Sequence, residues 1–217
     1  MLRPYAAFCL RLGESPRYAA RLLDNVMYVR DRLSIRLKGY DYAQAGAYFV
    51  TICTQNRQCL FGDIVDGEMR LNDAGRMVRS GWEGLPDRFA EMELDAFVVL
   101  PNHVHGIVTL IGPGSVVGAE LALPEEKGAA SSAPTLGDVA RAFKSISAIR
   151  VNRLLTRSGS LWQRNYYERV IRNKRELDKI REYITTNPLK WALDRENPQR
   201  TGRSDEEDAL FDFGSSP

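Results

Sequence analysis

Only two histidines occur in the 217 residues, and they stand one residue apart, at His103 and His105. They lie inside the run Phe97-Val-Val-Leu-Pro-Asn-His-Val-His-Gly-Ile-Val-Thr-Leu110, which is apolar, rich in β-branched residues and broken at Pro101-Asn102. Such a run reads as β-structure. Side chains alternate faces along a strand, so His103 and His105 point the same way, about 7 Å apart along the backbone, with Val104 turned into the opposite layer. Two imidazoles so placed can share one cation. Ordinary polar sheet positions show the same spacing, so the pair needs partners before it means more.

Partners are offered later in the chain. Asn173-Lys-Arg-Glu176 supplies a helix N-cap and an acid three residues on, and the helix it opens should end near Pro188, because the residue before proline disfavours the α region. Within it Tyr183 and Asn187 are spaced i and i+4 and share a face. A tyrosine oxygen is a nucleophile, but its ordinary pKa near 10 means that it needs help at neutral pH. An asparagine carbonyl is a hard oxygen donor. With His103 and His105 it completes three protein ligands and leaves positions for water and phosphate oxygens, as Mg²⁺ or Mn²⁺ phosphoryl chemistry requires. The plain alternative makes Tyr183 a core-edge aromatic and Asn187 a helix C-cap. A zinc hydrolase built on His-x-His would recruit a third histidine or a cysteine, and the chain has no further histidine.

Several elements must position these groups. Ala47 to Thr54 alternates as a strand, and segments 60–65 and 69–71 flank Asp66-Gly67, a dipeptide suited to a tight hairpin. From Asp73 to about Leu85, Ala74, Val78, Trp82 and Leu85 recur at helical spacing, with Pro86 as a stop. Thr135-Leu-Gly-Asp138 is a helix-start box, followed by the stripe Leu136, Val139, Phe143 and Ile146. Tyr166 to Ile171 is a short strand. Antiparallel strands with helices packed on them make an α+β fold. Residues 1–38 read as a basic extension with helical spacing around Tyr18 to Val29, 39–198 as the one domain, 112–134 as a flexible Gly/Ala/Pro/Ser-rich loop inside it, and 199–217 as an acidic, disordered tail.

Net charge is only +2, yet residues 135–200 carry fifteen lysines and arginines against seven acids. A basic half fits a polyanionic partner, and a solvated helix surface explains it equally. Trp162, Tyr166 and Tyr167 lie among Arg164, Arg169 and Arg172, a mixture suited to stacking on bases while neutralising phosphate; core packing would account for Trp162 and one of the tyrosines as well. Tyr166 and Tyr167 are also rival nucleophiles by type. Arg141 and Lys144, i and i+3 on a helix, could hold a DNA backbone or lie on a solvated face. Cys9, Cys53 and Cys59 are odd in number without C-x-x-C spacing, so neither a disulfide framework nor a cysteine zinc site is expected, and a cytoplasmic place is the default. No apolar run nears the ~20 residues of a membrane span, and no membrane partner is expected.

Taken together, these blocks resemble the REP-associated tyrosine transposases, a branch of the single-tyrosine HUH transposases. The resemblance covers roughly 35–198. It rests on Arg36-Leu-Lys-Gly-Tyr-Asp41, Tyr48-Phe-Val-Thr-Ile-Cys-Thr54, Pro101-Asn-His-Val-His-Gly106, Arg141-Ala-Phe-Lys-Ser145, Leu161-Trp-Gln-Arg-Asn-Tyr-Tyr-Glu168 and Arg181-Glu-Tyr-Ile-Thr-Thr-Asn-Pro188, in that order. It implies a ferredoxin-like antiparallel sheet with packed helices, the HUH pair at His103 and His105, the nucleophile at Tyr183 and the third metal ligand at Asn187. It also implies a partner, single-stranded DNA hairpins at repetitive palindromic elements, cut without ATP through a 5′-phosphotyrosine and open to religation by a monomer or homodimer. A non-catalytic DNA- or RNA-hairpin-binding protein that keeps the fold is the alternative. The segments 1–38, 112–134 and 199–217 have no counterpart in these motifs.

Overall fold

The computed structural model describes residues 44–112, 134–202 and 204–205. The 1–38 extension, nearly all of the 112–134 loop and most of the 199–217 tail lie outside the described residues. Strand β1 (Gly46–Cys53) is followed by a hairpin, β2 (Gly62–Val65) and β3 (Glu68–Leu71), then helix α1 (Asp73–Glu83), β4 (Met92–Val99), β5 (His103–Leu110), α2 (Leu136–Leu154), β6 (Tyr167–Ile171) and α3 (Lys174–Thr186). The main sheet runs β4-β5-β1-β6, and each of its neighbouring pairs is antiparallel. With the β2-β3 hairpin set aside, this is the βαββαβ order of a ferredoxin-like fold. The α+β expectation therefore holds in topology as well as in class.

Local chemistry accounts for the elements. Asp66 and Gly67 both have positive φ, 53° and 76°, which a two-residue hairpin turn of this hand demands. Asn72 caps α1 through Gly75 N, and Thr135 with Asp138 forms a reciprocal capping box on α2. Asn173 caps α3 through Glu176 N at 2.9 Å. Each cap satisfies an amide that the first helical turn leaves without a partner. Among the described residues no helix is long and apolar enough to cross a membrane.

Alternation along β1 and β5 divides the core in two. Tyr48, Val50, Ile52, Val104 and Val108 pack with α1 and α2 through Val78, Trp82, Val139 and Phe143. Ala47, Phe49 and Ile107 pack on the opposite face with Ile180, Tyr183 and Ile184 of α3. At Gly106 the sheet is pressed against Trp82: a Cβ there would stand 2.4 Å from Trp82 Cζ2. That indole is buried and stacked on Phe97 at 4.6 Å, so it has no room to retreat.

Helix α3 is tied to both edge strands. On β6, Arg169 reaches the Glu176 carboxylate at 2.6 Å; on β4, Arg181 grips Asp95 through two nitrogens, at 2.6 and 3.0 Å. A register shift between Leu94 and Phe97 makes the second tie possible. Leu94 and Phe97 both pack toward α1 and α2, so the extra residue in the bulge leaves Asp95 as well as Ala96 for the α3 side.

Two outcomes follow for stability. The Arg181 hydrogen bond holds the Asp95 carboxyl below its usual value. A depressed folded value stabilises fully above the unfolded pKa near 3.9 and is lost as the pH falls through the folded one. Urea denaturation of Asp95→Asn should show a loss of roughly 0.5–1 kcal/mol at neutral pH, and the gap from the parent should narrow as the pH drops below about 4. Gly106→Ala should cost about 1–3 kcal/mol by overpacking, read in the same assay.

Candidate metal and nucleophile site

The α3-facing side of the sheet carries both histidines. His105 pairs with Thr51 across the ladder and His103 with Cys53; the two imidazoles are 0% and 1% exposed, and their Nε2 atoms stand 3.0 Å apart. Their outer nitrogens are occupied. His103 Nδ1 lies 2.8 Å from Asn102 Oδ1, and His105 Nδ1 lies 2.8 Å from Thr51 Oγ1. The Asn102 amide donates one hydrogen to Arg57 O at 3.1 Å and another to Glu196 O at 2.7 Å. Its Oδ1 must then accept from His103, which puts the proton on Nδ1 and bares the Nε2 lone pair. At His105 the Thr51 hydroxyl can donate or accept, so either tautomer is supported.

Burial keeps both rings neutral. It lowers the His103 pKa to about 4, and it lowers that of His105 well below its ordinary value, with His103 as the next cause. Neutral imidazole is the ligating form.

Tyr183 lies in the last two turns of α3 and Asn187 at its C-cap. Tyr183 brings its hydroxyl to 3.3 Å from His105 Nε2, held by Phe49, whose ring stacks near His105 at 5.4 Å and meets Tyr183 edge-on at 6.0 Å. Asn187, at the C-cap of α3, is 2% exposed. A 3₁₀ segment, Asn187–Leu193, follows α3 directly and contains Pro188, and it delivers a residue that the motifs did not mark. Asp194 is buried, with Oδ2 at 3.6 Å from His103 Nε2. Its other oxygen accepts from Glu196 N at 2.7 Å, and burial raises its carboxyl pKa. A sequence signal existed: Tyr183, Asn187 and Asp194 follow at i, i+4 and i+11, one face of a helix, but Pro188 argued against extending the pattern.

The residues fit a cation. His103, His105 and Asp194 bring ligand atoms within 4.8 Å of one another. The Asn187 side chain bonds to the Asp194 carboxyl, and Asn187 Oδ1 remains a buried oxygen without a hydrogen-bond partner, an arrangement that proteins seldom tolerate without a compensating charge. Two nitrogens and two hard oxygens make a mixed set open to Mg²⁺ or Mn²⁺.

The remaining candidates are distributed elsewhere. Tyr166 packs against the α1/α2 cluster and Tyr167 against Phe49, on opposite faces. Trp162 is 4% exposed, wedged between Phe61 and Phe143, and donates to Ser147 Oγ at 2.9 Å; its ring is core, the packing alternative that the sequence also offered. Lys144 Nζ donates to Gln163 O and Arg164 O, pinning a loop. Arg169 is engaged with Glu176. Arg141, Arg164 and Arg172 are exposed.

No protein-family model matches the chain. Over 174 residues it is 40% identical to an uncharacterized protein of Haemophilus influenzae, a match that takes in 77% of this chain and 93% of that one. The chain belongs to the family of that protein. Among solved structures, this member of the family is similar to a REP-associated tyrosine transposase bound to a REP hairpin, with 21% identity, a TM-score of 0.48 and coverage of 70% and 72% of the two chains. It is also similar to a Deinococcus radiodurans protein described as a candidate transposase, with 18% identity, a TM-score of 0.40 and coverage of 68% and 92%.

Partners of the outer imidazole nitrogens tune metal affinity. Thr51→Val, close in shape, should weaken Mn²⁺ binding about 10-fold or more in calorimetric titration; unchanged affinity would show that the hydroxyl does not orient His105.

Proposed function

We propose that this protein is a metal-dependent single-stranded DNA endonuclease and strand transferase of the REP-associated tyrosine transposase kind. The observation that carries the reading is the Tyr183 hydroxyl, 3.3 Å from His105 Nε2, where a buried His-His-Asp cluster and an unsatisfied asparagine oxygen converge. The ordered motifs point the same way. The Tyr183 hydroxyl offers a nucleophilic atom that belongs to the protein, as covalent catalysis requires.

His103, His105 and Asn187, joined by Asp194, would hold the cation. A divalent ion bound there supplies polarisation of the scissile phosphate and stabilises the negative charge that develops on it. Tyr183 then forms the new bond, from its oxygen to phosphorus, as the bond from phosphorus to the leaving 3′ oxygen breaks. The phenolic proton lost is matched by the one gained at the 3′-hydroxyl. One phosphoester bond replaces another, so the step needs no ATP and a 3′-hydroxyl can reverse it. Phe49 fixes the angle of the tyrosine ring, and the ties from Glu176 and Arg181 fix the helix that carries it. The partner in this reading is a single-stranded DNA hairpin.

The test is a covalent adduct on a denaturing gel after incubation with palindromic single-stranded DNA and Mn²⁺. The parent protein should form it, chelator should suppress it, and Tyr183→Phe should abolish it. An adduct surviving Tyr183→Phe would transfer the nucleophile to another residue, and hairpin binding without any adduct would favour the non-catalytic alternative. Asp194→Ala should lower Mn²⁺ affinity at least 10-fold by calorimetry, whatever the DNA does.

A further inference from the structure

Three tryptophans occur in the chain, and two of them are core. Trp82 and Trp162 are 2% and 4% exposed and pack in the α1/α2 cluster. The third, Trp191, is half-buried and packs in neither hydrophobic cluster. It sits in the 3₁₀ segment that runs from Asn187 to the turn at Asp194, the two residues that bring oxygens to the candidate metal site. Its ring lies 6.0 Å from that of His103 and 29° from parallel. The rings of Tyr183, His105, His103 and Trp191 thus follow one another at centroid distances of 5.2, 4.5 and 6.0 Å, with the tyrosine at one end and the indole at the other.

The backbone that carries this indole is fixed. Trp191 O accepts from Asp194 N at 3.2 Å and from Asn197 Nδ2 at 2.8 Å. Leu189, in the same segment, rests on the hairpin turn, where a Cβ at Gly67 would stand 2.5 Å from Leu189 Cδ2. A large aromatic ordinarily stabilises a fold by burial in the core, and the core does not use this one. What remains is a flat ring, partly open and held on a braced segment beside the site. Nucleobases stack on such rings, and the contact tolerates any base because every base has a π-face. A bare sugar-phosphate backbone has none.

We propose that Trp191 is a stacking platform for the nucleobase that adjoins the scissile phosphate. The proposal rests on the single-stranded DNA reading above and adds to it a contact with a base. A phosphate held between Tyr183 and the two histidines has its neighbouring nucleotide beside the indole, on the His103 side. Stacking there sets the register of the strand against the tyrosine without reading its sequence.

The test uses a DNA hairpin with single-stranded thymidine flanks and the same hairpin with abasic flanks, in chelator so that the strand stays uncut. Tryptophan emission open to iodide reports on Trp191, because the other two indoles are buried. Thymidine flanks should protect the parent's emission from iodide, and abasic flanks should not. By fluorescence anisotropy the parent should bind thymidine flanks about 10-fold tighter than abasic ones, Trp191→Ala should shrink that preference to within about twofold, and Trp191→Phe, which keeps a ring, should retain most of it. The iodide measurement needs no variant, so it decides the matter even if Trp191→Ala folds poorly. Equal protection by the two hairpins, or a thymidine preference that survives Trp191→Ala whether or not overall binding weakens, would overturn the platform and leave the strand-transfer reading standing. If the parent bound neither hairpin, both would fall.

Discussion

Asn102 is the residue on which the arrangement hangs. Fully buried, it spends both amide hydrogens on the carbonyls of Arg57 and Glu196 and its oxygen on His103. Those three bonds leave no freedom in the flip of the amide, and therefore none in the tautomer of the ring beside it. They also join three stretches of chain distant in sequence: the turn after β1, the entry to β5 and the segment beyond α3. Losing the side chain would strand the buried Glu196 carbonyl as well as an imidazole N–H, each a penalty of about 1–3 kcal/mol.

Around that anchor the fold solves a problem of polarity. Two rings, an asparagine and a carboxylate occupy an interior otherwise filled by Phe49, Ile107, Ile180 and Ile184. Burial drives the imidazoles neutral and raises the Asp194 carboxyl, so in the absence of a positive charge every member of the set is pushed toward its uncharged form. A cation reverses this for the carboxylate and exploits it for the rings. Low dielectric and converging lone pairs are what turn a polar defect into a binding site.

Much of this was legible in the residues. Strand alternation put both imidazoles on one face, helical spacing put Tyr183 and Asn187 on one side of α3, and the Asp66-Gly67 turn and the caps at Thr135 and Asn173 appear where their residue types indicate. What escaped depended on non-local geometry. Strand β4 begins at Met92, hidden by Glu93 and Asp95, whose polarity makes sense only once the bulge and Arg181 are known. Asp194 was masked by Pro188, because helical phase ends there even though a 3₁₀ segment carries the chain back to the same place. For Trp162 the residues left base stacking and core packing both open, since neighbours in sequence do not report the inward turn of an irregular segment; the ring lies in the core.

The division of donors between chain segments has a thermodynamic meaning. The nitrogens belong to the central sheet, while the Tyr183 hydroxyl and both oxygens belong to α3 and the turn that follows it. A ligand bridging the two can bind only when the helix is docked, so it shifts the docking equilibrium by its own binding free energy, about 2.7 kcal/mol at a hundred times the dissociation constant. A divalent ion held there and the helix would act as linked ligands of the sheet. Partial opening of α3, the kind of local unfolding that precedes global loss of structure, would release any ion held there and withdraw the Tyr183 hydroxyl in a single event, so a detached helix would leave no half-assembled centre behind.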